Sequence, residues 1–236
     1  MKKFIIDPEI LELFPDVQIN LLRLSNFDNH VQESKQDTFQ QLLVDAEKEA
    51  QQYVTVEPFR NNPVVSQWRD AFTKFKTKKG ARSSIEALLK RVSQGHEFTP
   101  IIPLVDIYNS ISLKYAVPVG GETISAIDGN LHLGVADGGE SFKPLGATED
   151  APALPGEVIY YDQTGAVCRC FNWREAQRTM LTEETTDAVM VVEAINQEQA
   201  VRANAAIDEL KKLVDQTFAI QSTSYSLNAQ TLEIAL

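Results

Sequence analysis

Four consecutive residues, Asn172, Trp173, Arg174 and Glu175, set an amide, an aromatic ring, a guanidinium and a carboxylate side by side. Such groups can orient a polar ligand, stack on it, neutralise an anion and exchange a proton. They follow residues 156–171, which read as a β-hairpin. Tyr160, Tyr161 and Asp162 end its first strand, Gln163-Thr164-Gly165 turns, and residues 167–171 return. A polar cluster at a strand end is either a solvated exit from a sheet or the floor of a site, and composition alone favours the exit. Two stretches upstream carry comparable groups. After Pro103 a helix is expected over residues 104–113, with Leu104, Ile107, Tyr108 and Ile111 on one face. Asp106, Asn109 and Ser112 then share another face at i, i+3, i+6, a polar stripe open to structural bonding or to a site. Residues 116–121 read as a loop in which Pro118 fixes φ while Gly120 and Gly121 permit close backbone approach. Asn109, the loop from Pro118 to Gly121 and the segment from Asn172 to Glu175 could together hold a water and an ester carbonyl. They would do so through backbone N–H and amide donors, without a side-chain base.

The elements that must position these groups are legible from periodicity. Alternation after Pro15-Asp16 marks residues 1–30 as a strand region. Over residues 37–53, Phe39, Leu42, Leu43, Ala46, Ala50 and Tyr53 fall on one helical face. Asn62-Pro63 reads as a helix start with a capping amide, and Val65, Trp68, Phe72 and Phe75 recur at helical spacing. Ser83 and Glu86 have capping-box spacing ahead of Ile85, Leu88, Leu89 and Val92, and Gly95 ends that helix. Short strands are expected at residues 123–127 and 131–136, joined by an Asp128-Gly129-Asn130 turn. Residues 188–195 read as a fully apolar buried strand, and residues 196–216 as a closing helix. The last twenty residues could add a strand or fray. With no long linker and no repeat, one α+β domain over residues 1–236 is the economical reading, a compact unit with a mixed β-sheet flanked by helices.

Composition narrows the function classes. The chain has 236 residues and a formal net charge of −11, which argues against a general nucleic-acid binder and against DNA as partner. Residues 69–91 nevertheless carry eight basic side chains against two acidic ones, so that segment is +6 on a body of −17. One basic patch on an acidic body suits a local phosphate contact, and a solvated surface explains it equally. No apolar run approaches eighteen residues, so no membrane partner is expected. Asp7 and Pro8 interrupt the first apolar run too early for a signal peptide, and the chain reads as cytoplasmic. The two cysteines, Cys168 and Cys170, would share a strand face about 7 Å apart, which disfavours a mutual disulfide. Neither they nor His30, His96 and His132 assemble a zinc set, so neither metal nor cofactor is expected. The glycines lack dinucleotide or Walker spacing, and no Ser-His-Asp arrangement can be argued.

Six short motifs occur in order: Trp68-Arg69; Arg82-Ser83-Ser84 with Ala87-Leu88; Leu104-Val105-Asp106-Ile107-Tyr108-Asn109-Ser110 with Ser112-Leu113; Pro118-Val119-Gly120; Pro155-Gly156-Glu157-Val158; and Cys168-Arg169 with Asn172-Trp173-Arg174-Glu175. In this order they resemble freestanding proteins built from the paired third and fourth modules of the phenylalanyl-tRNA synthetase beta subunit, and the resemblance covers residues 64–194. In the synthetase that domain binds tRNA and hydrolyses tyrosine wrongly attached to the phenylalanine tRNA. The resemblance implies the fold of that editing domain and a trans-editing hydrolase that deacylates a mischarged aminoacyl-tRNA with a positioned water. Asn109 and Glu175 would be its catalytic groups. Asp106, Ser112, Pro118, Gly120, Gly121, Asn172, Trp173 and Arg174 would line the aminoacyl pocket, and Arg69, Lys78, Lys79 and Arg82 would meet tRNA phosphates. The family's histidine falls at Gly120 here, which leaves the aminoacyl group open to one smaller than tyrosine or differently shaped. No ATP site or synthetase signature is present, so aminoacylation is not expected. A non-catalytic module that binds tRNA or an amino acid, and a small-molecule enzyme reusing the domain, are the alternative readings.

Overall fold

The apolar alternation near the N-terminus and the apolar run near residue 190 become the two inner strands of one sheet, because both are buried on both faces. The computed structural model describes residues 2–236; Met1, the first residue of the expected domain, lies outside the described residues. The chain runs β1 (Lys3–Ile6), α1 (Pro8–Leu13), β2 (Gln18–Ser25), α2 (Gln36–Ala50), α3 (Pro63–Ala71), α4 (Ser84–Ser93), α5 (Pro103–Tyr115), β3 (Val119–Thr123) and β4 (Leu131–Val135). It continues through β5 (Val158–Tyr161), β6 (Ala166–Arg169), β7 (Arg174–Glu175), β8 (Asp187–Ala194), α6 (Gln197–Phe218), β9 (Thr223–Leu227) and β10 (Glu233–Ala235). The class is α+β, as expected, and its strands divide between two sheets. One is antiparallel in the order β3-β8-β2-β9. The other has the order β10-β1-β4-β5-β6-β7 and is mixed, because β1 and β4 run parallel.

The period-2 rule explains how one sheet serves two cores. In β2, Ile19 and Leu21 enter the core shared with the six-stranded sheet, while Leu22 and Leu24 face α5 and α6. Val189 and Val191 of β8 likewise face the inter-sheet core, and Met190 and Val192 face the helices. On this alternation residue 193 belongs to the inter-sheet side. It is a glutamate, only 3% exposed.

Several local expectations yield to tertiary pairing. Residues 119–121, read as loop, form the start of β3, because Gly120 and Gly121 pair with Val191 and Met190. A Cβ on Gly121 would meet the end of the Met190 side chain at 2.6 Å, so the residue is closely packed in the strand. Residues 124–126 form a 3-10 turn, and β4 pairs with β1 and β5, so no hairpin forms around Asp128-Gly129-Asn130. Residues 8–13, inside the expected strand region, are helical with Pro8 at the first turn. Asn62 precedes α3 but spends its side chain on Val56 and Phe59 instead of capping. The Ser83–Glu86 box does not close, because Glu86 is taken by Arg69 through two bonds of 3.1 and 2.7 Å. The C-terminal twenty residues are ordered into β9 and β10.

Candidate functional site

Beyond Arg169 the hairpin's return strand stops. Cys170 and Phe171 adopt φ of +48° and +62°, left-handed conformations that turn the chain back on itself. Phe171 anchors this turn in the core, with its ring 5.5 Å from Trp68, 5.7 Å from Phe14 and 6.3 Å from Tyr160. The chain then re-enters the sheet as β7, with Cys168 opposite Glu175 and Arg169 opposite Arg174. The segment from Asn172 to Glu175 is therefore a wall and not a solvated exit. The two cysteines do not share a strand face: Cys168 faces the site, while Cys170 sits in the turn and its Sγ accepts from Lys78 N at 3.4 Å. Both thiols are free.

A cavity of about 340 Å³ opens between the two sheets at their β3 and β7 edges, closed on a third side by α4 and α5. Cross-strand register explains its lining. Tyr160, Cys168 and Glu175 stand opposite one another along β5, β6 and β7. Across the gap stand Gly120 and Glu122 of β3 with Val191 and Glu193 of β8. Tyr108 and Asn109 enter from α5, and Ser84 and Arg91 from α4.

Three glutamates thus converge on one cavity. Burial raises the Glu193 carboxyl to about 8; Tyr160 Oη donates to it at 2.7 Å, and Asn172 Nδ2 donates to its other oxygen. Burial, and then the neighbouring Glu175, push Glu122 well above the usual carboxylate range, and burial also raises Glu175. Glu122 is 7% exposed, and its Oε2 has no hydrogen-bond partner. Burial lifts the Cys168 thiol, with Glu122 next, so it is held as the unreactive neutral form. No group of three or more His, Cys, Asp or Glu among the described residues is spaced to hold a metal ion. The rim has the opposite sign. Lys78 Nζ lies 6.0 Å, and the Arg174 guanidinium 5.4 Å, from the centre of the Trp173 ring, so an aromatic face at the mouth is flanked by two cations.

Asn109, Pro118, Gly120, Gly121, Asn172, Trp173, Arg174 and Glu175 all line this cavity. Asp106 and Ser112 do not. Asp106 points away on α5, accepts from Ile101 N at 2.8 Å and has its carboxyl raised to about 6 by burial. Ser112 is fully buried and donates to Val117 O at 2.6 Å, fastening the turn between α5 and β3. Both do the structural bonding that the polar stripe left open. Of the basic residues, Lys78 sits at the mouth, whereas Arg69 and Arg82 line a separate cavity on the far side of the α4 N-terminus. Glu122, Glu193, Tyr108, Tyr160, Cys168 and Arg91 were not among the expected site residues. Residues 188–195 are not the fully apolar strand expected: Glu193 is a charge inside it, a signal readable in the sequence. Glu122 left none, since only the β3–β8 register turns it inward.

Among solved structures, the chain is similar to an N-terminal fragment of the phenylalanyl-tRNA synthetase beta-subunit from Pyrococcus horikoshii, with a TM-score of 0.48 and 10% identity. The match covers 98% of this chain and 53% of that one, so the chain spans about half of the fragment's length. No curated protein matches it. A family model described as the B3/4 domain matches residues 67–228, more than two thirds of the sequence, and the chain belongs to the B3/4 domain family, the phenylalanyl-tRNA synthetase beta-subunit module that its ordered motifs resemble.

Proposed function

We propose that this chain hydrolyses, in trans, the ester bond of a mischarged aminoacyl-tRNA. The observation that carries the reading is the sign reversal across one cavity: three glutamates line it, Glu122 and Glu193 buried and Glu175 half-buried, and Trp173 stands between Lys78 and Arg174 at the mouth. An aminoacyl-tRNA end has the complementary polarity. Its α-ammonium is a cation that buried carboxylates can neutralise, and the strand behind it carries phosphates and bases suited to cations and an aromatic face. Family membership supports the same reading.

In this scheme the ammonium enters among Glu122, Glu175 and Glu193 and displaces the protons that burial holds there. Asn109 and the β3 backbone at Gly120 and Gly121 position the ester carbonyl and a water. Attack breaks the bond between the carbonyl carbon and the terminal ribose oxygen. The water supplies hydroxyl to the acyl carbon and a proton to the ribose oxygen, giving a free amino acid and uncharged tRNA. In this scheme Glu175, the carboxylate on the shortest edge strand, relays that proton. The test is a deacylation panel of misacylated tRNAs with the wild-type protein, Asn109→Ala and Glu175→Ala. The expected result is ester loss on at least one tRNA, reduced about 100-fold or more in each variant. Ester loss no faster than buffer on every tRNA sinks the proposal.

A further inference from the structure

The acids of the cavity fall at two poles. On the β3–β8 ladder Gly120 stands opposite Val191 and Glu122 opposite Val189, while Glu193 N donates to Pro118 O at 3.1 Å. Glu193 and Glu122 are therefore four positions apart along neighbouring strands, about 13 Å at the rise of an antiparallel strand. The facing sheet repeats the division. Tyr160 of β5 holds Glu193 at one end, and Glu175 of β7, two strands across, neighbours Glu122 at the other. Between the poles the walls are Gly120, Val191 and the neutral thiol of Cys168, which carry no charge. Neither pole has a protein cation. Arg91 packs on Phe98 at 4.4 Å and donates to Glu97 O, and Arg174 lies by Trp173 at the mouth. Arg178, whose charge also reaches Glu122, is committed to Asp162 through bonds of 2.8 and 2.7 Å. The partners of Glu193 are the neutral donors Tyr160 and Asn172, and burial raises Glu175 with no hydrogen bond to offset it. Acids withdrawn from water without a cation are costly, and on a cavity wall they mark a binding function.

We infer that the aminoacyl group this cavity takes carries a second cation, at the end of an unbranched side chain of the lysine or arginine class. Its α-ammonium neutralises one pole, its methylenes lie along Gly120, Val191 and Cys168, and its terminal cation neutralises the other pole. The lengths agree. An extended lysine sets its two nitrogens about 7 Å apart, and a charge-assisted bond of about 2.8 Å at each end carries that reach to about 12 Å. The cavity volume of about 340 Å³ is that of a small-ligand pocket, enough for one such side chain. An aminoacyl group with a neutral side chain meets one pole and leaves the other acid unpaired. The tRNA half of the substrate rests on the deacylase proposal; the recognition of two cations does not.

The experiment is a calorimetric titration of the full-length chain with the amides of L-lysine, L-norleucine and L-tyrosine, at constant pH and ionic strength. These probes keep the α-ammonium and have no ester to hydrolyse, and norleucine is lysine without its terminal amine. Lysine amide is expected to bind about tenfold or more tighter than either of the others. Glu122→Gln and Glu193→Gln should each bring that preference close to one. Norleucine or tyrosine amide bound as tightly as lysine amide, no binding of lysine amide, or a preference untouched by both substitutions overturns the inference. The two proposals fail separately. A preference for lysine amide without deacylation of any tRNA would keep the recognition of two cations and remove the deacylase. Deacylation of a tyrosyl-tRNA without that preference would do the reverse.

Discussion

In β8, Glu193 stands where the alternation of Val189 and Val191 would place another branched aliphatic, and it is held there by Tyr160 and Asn172. Its carboxyl ionises near 4.3 in an unfolded chain and at about 8 in the folded one. The folded state therefore binds the extra proton between those values. The stability linked to Glu193 is fully present below the unfolded value and is lost as pH rises through about 8. Glu122 and Glu175 shift in the same direction and add to the slope. Thermal melts from pH 5 to pH 9 should show Tm falling with pH in the wild type and falling less in Glu193→Gln. Parallel slopes would mean that this carboxyl does not titrate as the geometry requires. The residue types at the site were partly visible in the sequence. Asn172, Arg174 and Glu175 announced a polar cluster, whereas Glu122 was one acid among the 33 Asp and Glu residues of the chain.

At the scale of elements, α4 is held by a residue 88 positions away in sequence. Its local box fails because Glu86 pairs with Arg69, and the first helical N–H is satisfied by Asn172 from the β6–β7 turn. That bond ties the helix bearing Ser84 and Arg91 to the turn that leads into the strand bearing Glu175. Asn172→Ala should cost about 1–2 kcal/mol in denaturant unfolding and speed hydrogen exchange at the Ser84 amide. An unchanged exchange rate there would show that α4 caps itself. The helices were legible because amphipathic period and proline placement are local properties. Strand β3 was not, since Gly120 and Gly121 have no strand preference and are extended only because β8 lies beside them.

Across the whole molecule, the +6 segment does not act as one patch. Lys74 lies 5.1 Å from the Phe14 ring, Lys90 lies 4.8 Å from Phe59, Arg91 packs on Phe98 at 4.4 Å, and Arg69 is committed to Glu86. Lys76, Lys78, Lys79 and Arg82 are left as exposed cations, with Lys78 over the Trp173 ring at the acidic cavity and Arg82 on the wall of the cavity beyond the α4 N-terminus. If tRNA docks there, its affinity should fall with salt on a slope set by roughly three phosphate contacts. Lys78→Ala with Lys79→Ala should lower that slope by about 1.5–2. Filter binding from 50 to 300 mM salt measures it, and a flat wild-type response would remove phosphate contact from the account. Among the described residues no helix is long and apolar enough to cross a membrane.

The sequence alone determined the α+β class, most helices, the buried strands and an ordered set of motifs that point to the B3/4 family. Those properties follow from periodicity and local chemistry, which survive without neighbours. Only the tertiary structure decided that two sheets face each other, that the chain reverses at Cys170 and Phe171, and that Glu122, Glu175 and Glu193 meet in one cavity. Strand register is set by distant partners, and a shift of one residue would turn Glu122 and Glu193 to the opposite face. The polar run at residues 172–175 shows the division most plainly. Its composition could be read directly, but its place as a pocket wall came from the return of β7 alongside β6.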